Sequence, residues 1–466
     1  MKLKLILLIL TVCLTAGISK AEYSYATETL RRSLPDHWLY TPEHVQTSPV
    51  DDAWWKEFND TTLDMLISKA IDNNFNVSAA LKRLDIARRQ VEEVRSGYYP
   101  VVGASAGYSI SQDAGALNNP RTSSHHSSSF SLGANMNWEI DLFGKVRDQV
   151  KAAKAGVRVS HADYEGVMVS MCATLAKAYV TLRCLQEQYA VAMTHIASQK
   201  HILRITEARL EAGIGNSLEV AQAKVVLYST NAAVPGIEAK IRVTANSIAI
   251  LIGAYPAEVV PQLLIPDHLP KDFGMPAIGL PADLIRRRPD VVQAEAQMAQ
   301  YAAQIGVAKK DFLPTLNISG SIGTYAHKGG DLFGSHSLGY SVTPTLSWTI
   351  FDGMARSNRL AEARLQMEES IDNYNLVVLT AIEEVQNAVA NYNSSLQECD
   401  LLEKLVVQSK KALDLSVDLY RSGLSSFTNV MDAQQSYLSN QNSLVESRGQ
   451  VLSELVALYQ ALGGGF

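Results

Sequence analysis

Few side chains in this sequence are placed to do chemistry. His125-His126 could contribute to a metal site, but the Ser-rich stretch around the pair supplies no further ligand, so an exposed loop is expected. Cys172 and Cys184, read on one helix, would stand about 18 Å apart, beyond the reach of a disulfide. With Cys399 they read as small apolar side chains of a packed interior. Arg286-Arg287-Arg288 has the look of a nucleic-acid patch, yet the formal net charge is −6 and Pro289-Asp290 follows at once. Proline at a first helical turn and an acid at the positive end of the helix dipole mark a structural helix start instead. No nucleophile–base pair, phosphate loop or metal-spaced cluster stands out. No catalytic residue, cofactor, metal or nucleic-acid partner is therefore expected.

The elements that carry these residues follow from periodicity. Roughly Lys145 to Glu211 contains no proline, and its apolar residues recur every seven: Leu175, Leu182, Tyr189, Ile196, Leu203 and Leu210 in one row, Val157, Tyr164, Met171, Ala178, Leu185 and Ala192 in another. Such a pattern predicts one long helix packed sideways on others, about 100 Å from end to end. The first row reappears 210 residues later as Val385, Tyr392, Cys399, Val406, Leu413 and Tyr420. That spacing is too long for a solenoid and indicates a duplicated half.

Lys2 and Lys4, an apolar run from Leu5 to Ala16 and Ser19-Lys20-Ala21 read as a secretory signal over residues 1–21. A rival is Leu10-Thr11-Val12-Cys13, a lipoprotein-like box that would acylate Cys13, although Val12 is bulky where such boxes carry Gly or Ala. Residues 22–60, with Pro35, Pro42, Pro49 and Trp54-Trp55, read as an extended arm. No later segment approaches 18 uncharged apolar residues, the length a membrane helix needs.

The first repeat, 61–255, reads as helix, two strands, long helix and return helix. One helix is expected from Asp60 to about Gly97, and strands over Val102–Ile110 and Phe130–Ile140, where apolar and polar residues alternate. The long helix should end at Gly213, with Asn216 or Ser217 capping a return helix from Leu218 to about Ile252. A proline-spotted connector, 256–281, leads to the second repeat, 282–466. Its helix runs to about Phe312 and its strands alternate over Leu316–Ile322 and Leu338–Ile350, around a loop at 327–337. Asp352-Gly353 opens the second long helix, and Ser426 to Leu462 returns. Four amphipathic strands cannot close a barrel, and an open edge cannot sit in lipid. Three chains would supply twelve strands, within the range of closed barrels. Trp138 and Trp348, 210 residues apart, fit anchors at the lipid boundary.

Five segments in order then resemble TolC-like outer-membrane efflux channels: Trp54-Trp55-Lys56-Glu57-Phe58-Asn59-Asp60; Asp141-Leu142-Phe143-Gly144-Lys145-Val146-Arg147; Leu284-Ile285-Arg286-Arg287-Arg288-Pro289-Asp290 with Ala294-Glu295; Tyr420-Arg421-Ser422-Gly423 with Asp432-Ala433-Gln434; and the closing Ala461-Leu462-Gly463-Gly464-Gly465-Phe466 of the multidrug branch. The resemblance spans essentially the whole mature chain. It implies an α+β membrane protein built as a homotrimer, with a twelve-stranded β-barrel in the outer membrane of a Gram-negative cell and a helical periplasmic tunnel. Its partners would be outer-membrane lipid, a periplasmic adaptor protein and, indirectly, an inner-membrane transporter. The duct itself catalyses nothing.

The resemblance also implies roles for residues. Asp432 matches an aspartate ring at the periplasmic constriction, where three carboxylates would repel one another and attract cations; read alone, it is an acid early in a helix, complementing the dipole. Thr428 stands where the multidrug branch carries a pore-plugging leucine, and Asn429 where another branch carries a second acid. Tyr420 and Arg421 resemble residues that tie neighbouring helices shut, although Tyr420 is also a heptad core position. The turns at Gly213-Ile214 and Gly423-Leu424-Ser425 resemble adaptor contacts, and serve equally as helix–helix turns. Two other functions fit less of the sequence: a type I polypeptide-secretion duct, and a soluble periplasmic coiled-coil adaptor or scaffold.

Overall fold

A computed structural model describes residues 53–112, 126–270 and 287–464. Cys13, the signal segment, most of the arm, His125 and Arg286 lie outside the described residues. The rest falls into two compact units. One comprises Leu84–Ser160 and Ala294–Tyr374; the other takes in residues 53–83, 161–293 and 375–464.

The first unit holds an antiparallel sheet in the order β1 (Val101–Gln112), β2 (His126–Ile140), β3 (Thr315–Ala326) and β4 (Leu338–Ser347). Registers pair even residues with even residues throughout. Ala104, Ala134, Ile322 and Tyr340 share one row, and Val102, Met136, Gly320 and Val342 the next. Because side chains alternate between faces, every apolar row lies on one side. The other side is polar, as in the row Gly103, Asn135, Ser321 and Ser341. Ser109 and Ser129 pair there at 2.7 Å, and Ser321 and Ser341 at 2.9 Å. The apolar side is not a core: Tyr340 is 82% and Val342 69% exposed. The sheet closes up between β2 and β3 at Gly133, where a Cβ would come 2.8 Å from the Ile322 carbonyl oxygen.

In chain order the helices are α1 (Thr61–Asn73), α2 (Phe75–Arg95), α3 (Lys145–Glu211), α4 (Ser217–Leu251), α5 (Pro256–Leu263), α6 (Pro289–Lys310), α7 (Ala355–Arg421) and α8 (Phe427–Ala461). The two long helices, α3 and α7, are 67 residues each, and the return helices α4 and α8 are 35 each. Both pairs begin 210 residues apart. One 18-residue window of α3 reaches a mean hydropathy of 1.2, but 56% of it is buried against the chain itself, as expected of a packing helix. Heptad residues Leu175, Leu182, Val385, Tyr392 and Tyr420 are buried, whereas Leu210 is 38% exposed near the end of α3 and Cys399 is half-buried. Cys172 and Cys184 are free, like Cys399.

Several sequence expectations are corrected. The helix expected over 60–97 is two helices, broken at Asn74. There the side-chain oxygen accepts from the Asn76 and Val77 amides, recapping the chain, while the side-chain nitrogen donates to the Leu251 carbonyl at 2.7 Å. His126 belongs to β2 rather than a loop and pairs with Gln112. The last strand stops at Ser347, so Trp348 and Ile350 lie beyond it. Trp348 donates its indole N–H to the Phe312 carbonyl, as Trp138 does to Tyr98, each at 3.0 Å. The connector contains a helix, α5.

The end of the arm is a short 3-10 turn, Trp54–Phe58. Trp54 is 1% exposed and stacks on Tyr459 at 5.3 Å. Tyr459 donates to Glu57, and Tyr179 donates to Asp60. Asp60 also caps α1, accepting from Thr62 and Leu63. Arg288 fulfils the structural role expected of it: buried, it pairs with Asp290 and Glu384 at 2.6 Å and donates to the Ala461 carbonyl at 2.9 Å.

Candidate functional site

The residues singled out in sequence lie at two helix–helix turns of the second unit. Two residues past the end of α3 stands Gly213, and two past the end of α7 stands Gly423, with φ of +73° and +75°, the left-handed conformation that glycine adopts without strain. In each turn the glycine amide bonds back three residues, to Leu210 or Tyr420, at 3.0 Å. The following amide bonds back five residues, Ile214 to Arg209 at 3.0 Å and Leu424 to Leu419 at 2.9 Å. These bonds satisfy the carbonyls that a helix end leaves over. They also push one apolar side chain outward from each turn: Ile214 is 65% and Leu424 77% exposed. Ser425 is half-buried, its hydroxyl accepting from the Asn429 side chain at 3.0 Å.

Between the turns a small core forms from Ile202, Ala223, Tyr420, Phe427 and Val430. Tyr420 is its centre. The ring is 2% exposed and lies 5.3 Å from that of Phe427. Its hydroxyl donates to the Glu219 carboxylate of α4 at 2.7 Å. Burial, then this carboxylate, pushes the phenol up to about 12, so it stays a donor at any physiological pH. The Arg209 guanidinium stacks over the ring at 4.6 Å and donates to the Tyr420 and Arg421 carbonyls at 3.1 and 3.3 Å. Arg421 donates to His201 Nε2 at 2.8 Å and lies 3.9 Å from Asp418. Thr428 and Asp432, four residues apart on α8, are both exposed.

Tyr420 and Arg421 are thus gathered into one cluster with residues of α3 and α4, while Thr428 and Asp432 line the open side of α8. Sequence reading missed Arg209, Glu219 and His201. A signal existed for Arg209: it lies four residues before a turn glycine, where the repeat carries Leu419. Among the described residues, no group of three or more His, Cys, Asp or Glu is placed to hold a metal ion.

Known proteins resemble this chain along most of its length. The family model described as outer membrane efflux protein matches residues 66–254 and 280–464. Nodulation protein T of Rhizobium leguminosarum bv. viciae is 31% identical over 415 residues, covering 89% of this chain and 84% of that protein. The pyoverdine export outer membrane protein OpmQ of Pseudomonas aeruginosa is 28% identical, covering 93% and 91%. The solved outer-membrane channel OprN superposes with a TM-score of 0.86 at 30% identity, over 92% of this chain and 97% of that one. The chain belongs to the outer membrane efflux protein family.

Proposed function

We propose that three copies of this chain close a twelve-stranded barrel in the outer membrane, prolonged by a helical periplasmic tunnel, as the exit duct of a tripartite efflux pump. The observation that carries the assembly is the sheet. Its apolar rows run unbroken across four strands, and among the described residues β1 and β4 each leave an edge without a partner. Lipid tolerates neither an unpaired edge nor a polar outer face. Closing three sheets edge to edge satisfies both demands, turning the apolar rows toward lipid and the Ser/Asn rows toward a wet lumen. A soluble scaffold would have no use for such a face.

The family is one of outer-membrane efflux channels rather than enzymes. The duct conducts small molecules passively, and the energy comes from an inner-membrane transporter reached through an adaptor. Ile214 and Leu424, held outward by the glycine turns, suit contact with adaptor hairpins. Asp432, repeated three times around the axis, suits a cation-attracting constriction, with Thr428 beside it in place of an apolar plug. The two-repeat division, 61–255 and 282–466, places one long helix and one tip in each half. Sedimentation of the detergent-purified full chain, followed by planar-bilayer recording, tests the assembly. A mass of three copies and discrete conductance steps are expected; a monomer that stays in water without detergent overturns it.

A further inference from the structure

The first turns of α3 carry cations where a helix is poorly suited to them. Positive charge near a helix N-terminus opposes the macrodipole, and of the charged residues there only Asp148 complements it. Yet Arg147, Lys151, Lys154 and Arg158 follow at steps of four, three and four, which sets them on one stripe, and all four are exposed. The inward side of the same turns is filled by Val146 and Val150, packed on Val91. Lys151 also reaches Asp148 at 2.9 Å but keeps 60% of its side chain exposed. The equivalent positions of α7, 210 residues on, are Ser357, Ala361, Arg364 and Glu368. The stripe is therefore no requirement of the duplicated unit.

Its surroundings point to a ligand. β2 ends at Ile140 on the apolar side of the sheet, and the elbow that follows exposes Leu142 (56%) and Phe143 (43%). Arg147 folds back over this elbow: a Cβ on Gly144 would stand 2.9 Å from its Nη2. An apolar strand face, then exposed Leu and Phe, then a basic stripe is the order in which a chain leaves hydrocarbon and crosses a headgroup layer. We infer that this stripe binds anionic phospholipid headgroups in the periplasmic leaflet of the membrane the barrel spans. The inference rests on the barrel reading above. Headgroup layers are about 5–8 Å deep on each side and charge is felt for about another 8 Å. Arg147 to Arg158 covers about 16 Å of helix, so the contribution should fade along the stripe.

Native mass spectrometry of the detergent-solubilised full chain, titrated with phosphatidylglycerol or phosphatidylcholine, tests this. The chain should retain the anionic lipid preferentially. Arg147→Ser and Lys151→Ala should each lower retention about fivefold, Lys154→Ala less, and Arg158→Ala less than about twofold. Lys410→Ala with Lys411→Ala, a basic pair near the other end of α7, should change nothing. Equal retention of both lipids, or equal effects from all four positions, overturns the inference. So does loss of oligomer mass on removing the stripe, which would make it a contact between copies. Unmodified protein that conducts in bilayers yet shows no lipid preference sinks the stripe alone; unmodified protein that neither assembles nor conducts sinks the barrel beneath it.

Discussion

The two tip turns share a backbone and differ in nearly every side chain around it. Gly213 and Gly423 have the same φ within 2°, and both turns repeat the same pair of closing bonds. At matching positions, 210 apart, the first turn carries Arg209, Leu210, Ser217, Leu218, Glu219 and Gln222. The second carries Leu419, Tyr420, Phe427, Thr428, Asn429 and Asp432. The first contributes an Arg and a Glu that clasp a ring contributed by the second. A duplicated turn can thus keep its geometry, which the glycines secure, while its side chains diverge into complementary halves of one lock.

Substitutions at matched positions can break or sharpen this comparison. Arg209→Ala removes three charged hydrogen bonds and a ring stack, and should cost the tip about 2–3 kcal/mol of local stability. Leu419→Ala, at the matching but 46% exposed position, should cost about 1 kcal/mol or less. Amide hydrogen exchange over residues 417–431 reads both, and equal losses would dissolve the asymmetry. Tyr420→Phe keeps the ring but withdraws the donor to Glu219. A loss of about 1–2 kcal/mol is expected in the same experiment, with none for Leu210→Met.

A third contrast lies farther up the long helices. His195 of α3 is 2% exposed, within 2.6 Å of Gln441 Oε1 and over the Tyr437 ring, whereas its counterpart in α7 is Leu405. Burial holds His195 below the ordinary histidine value, and its Nδ1 has no hydrogen-bond partner among the described residues. A native pKa below the unfolded one leaves stability intact above about pH 6.5 and erodes it as pH falls, by up to about 1.4 kcal/mol per unit. Exchange protection around His195 should therefore fall on acidification from pH 7 to 5, and His195→Gln should flatten the profile. Protection of residues 400–410 serves as the pH-insensitive reference. Last, Asp432→Ala should leave stability within about 0.5 kcal/mol. In planar bilayers it should raise conductance and weaken cation preference, while Gln222→Ala changes neither. Unaltered conductance for Asp432→Ala removes that residue from the constriction.

What was legible in the sequence was whatever repeats or alternates. The seven-residue rows delimit α3 from Lys145 to Glu211 because so long a run of packing leaves a periodic trace. The glycine turns were equally readable, since a left-handed residue at a helix end has few alternatives. Asn74 was not: the apolar spacing runs straight through the break, and what recaps the chain is reinforced by a bond to Leu251, 177 residues away. The first residues of β2 escaped because Ser127, Ser128 and Ser129 show no alternation, although pairing with β1 continues to His126. Of the site, Tyr420 and Asp432 stood out through resemblance. Glu219 did not, because a clasp between two repeats leaves no pattern within either, and Arg209 showed only as a departure from the Leu419 of the other repeat.

The borders of β1 and β4, unpaired among the described residues, have a genetic consequence. In the proposed ring every copy depends on two neighbours, so a flaw in one border is imposed on chains that are themselves sound. Cells making intact and flawed copies together would lose export faster than the flawed fraction rises. Mutations along those two strands should therefore act as dominant poisons.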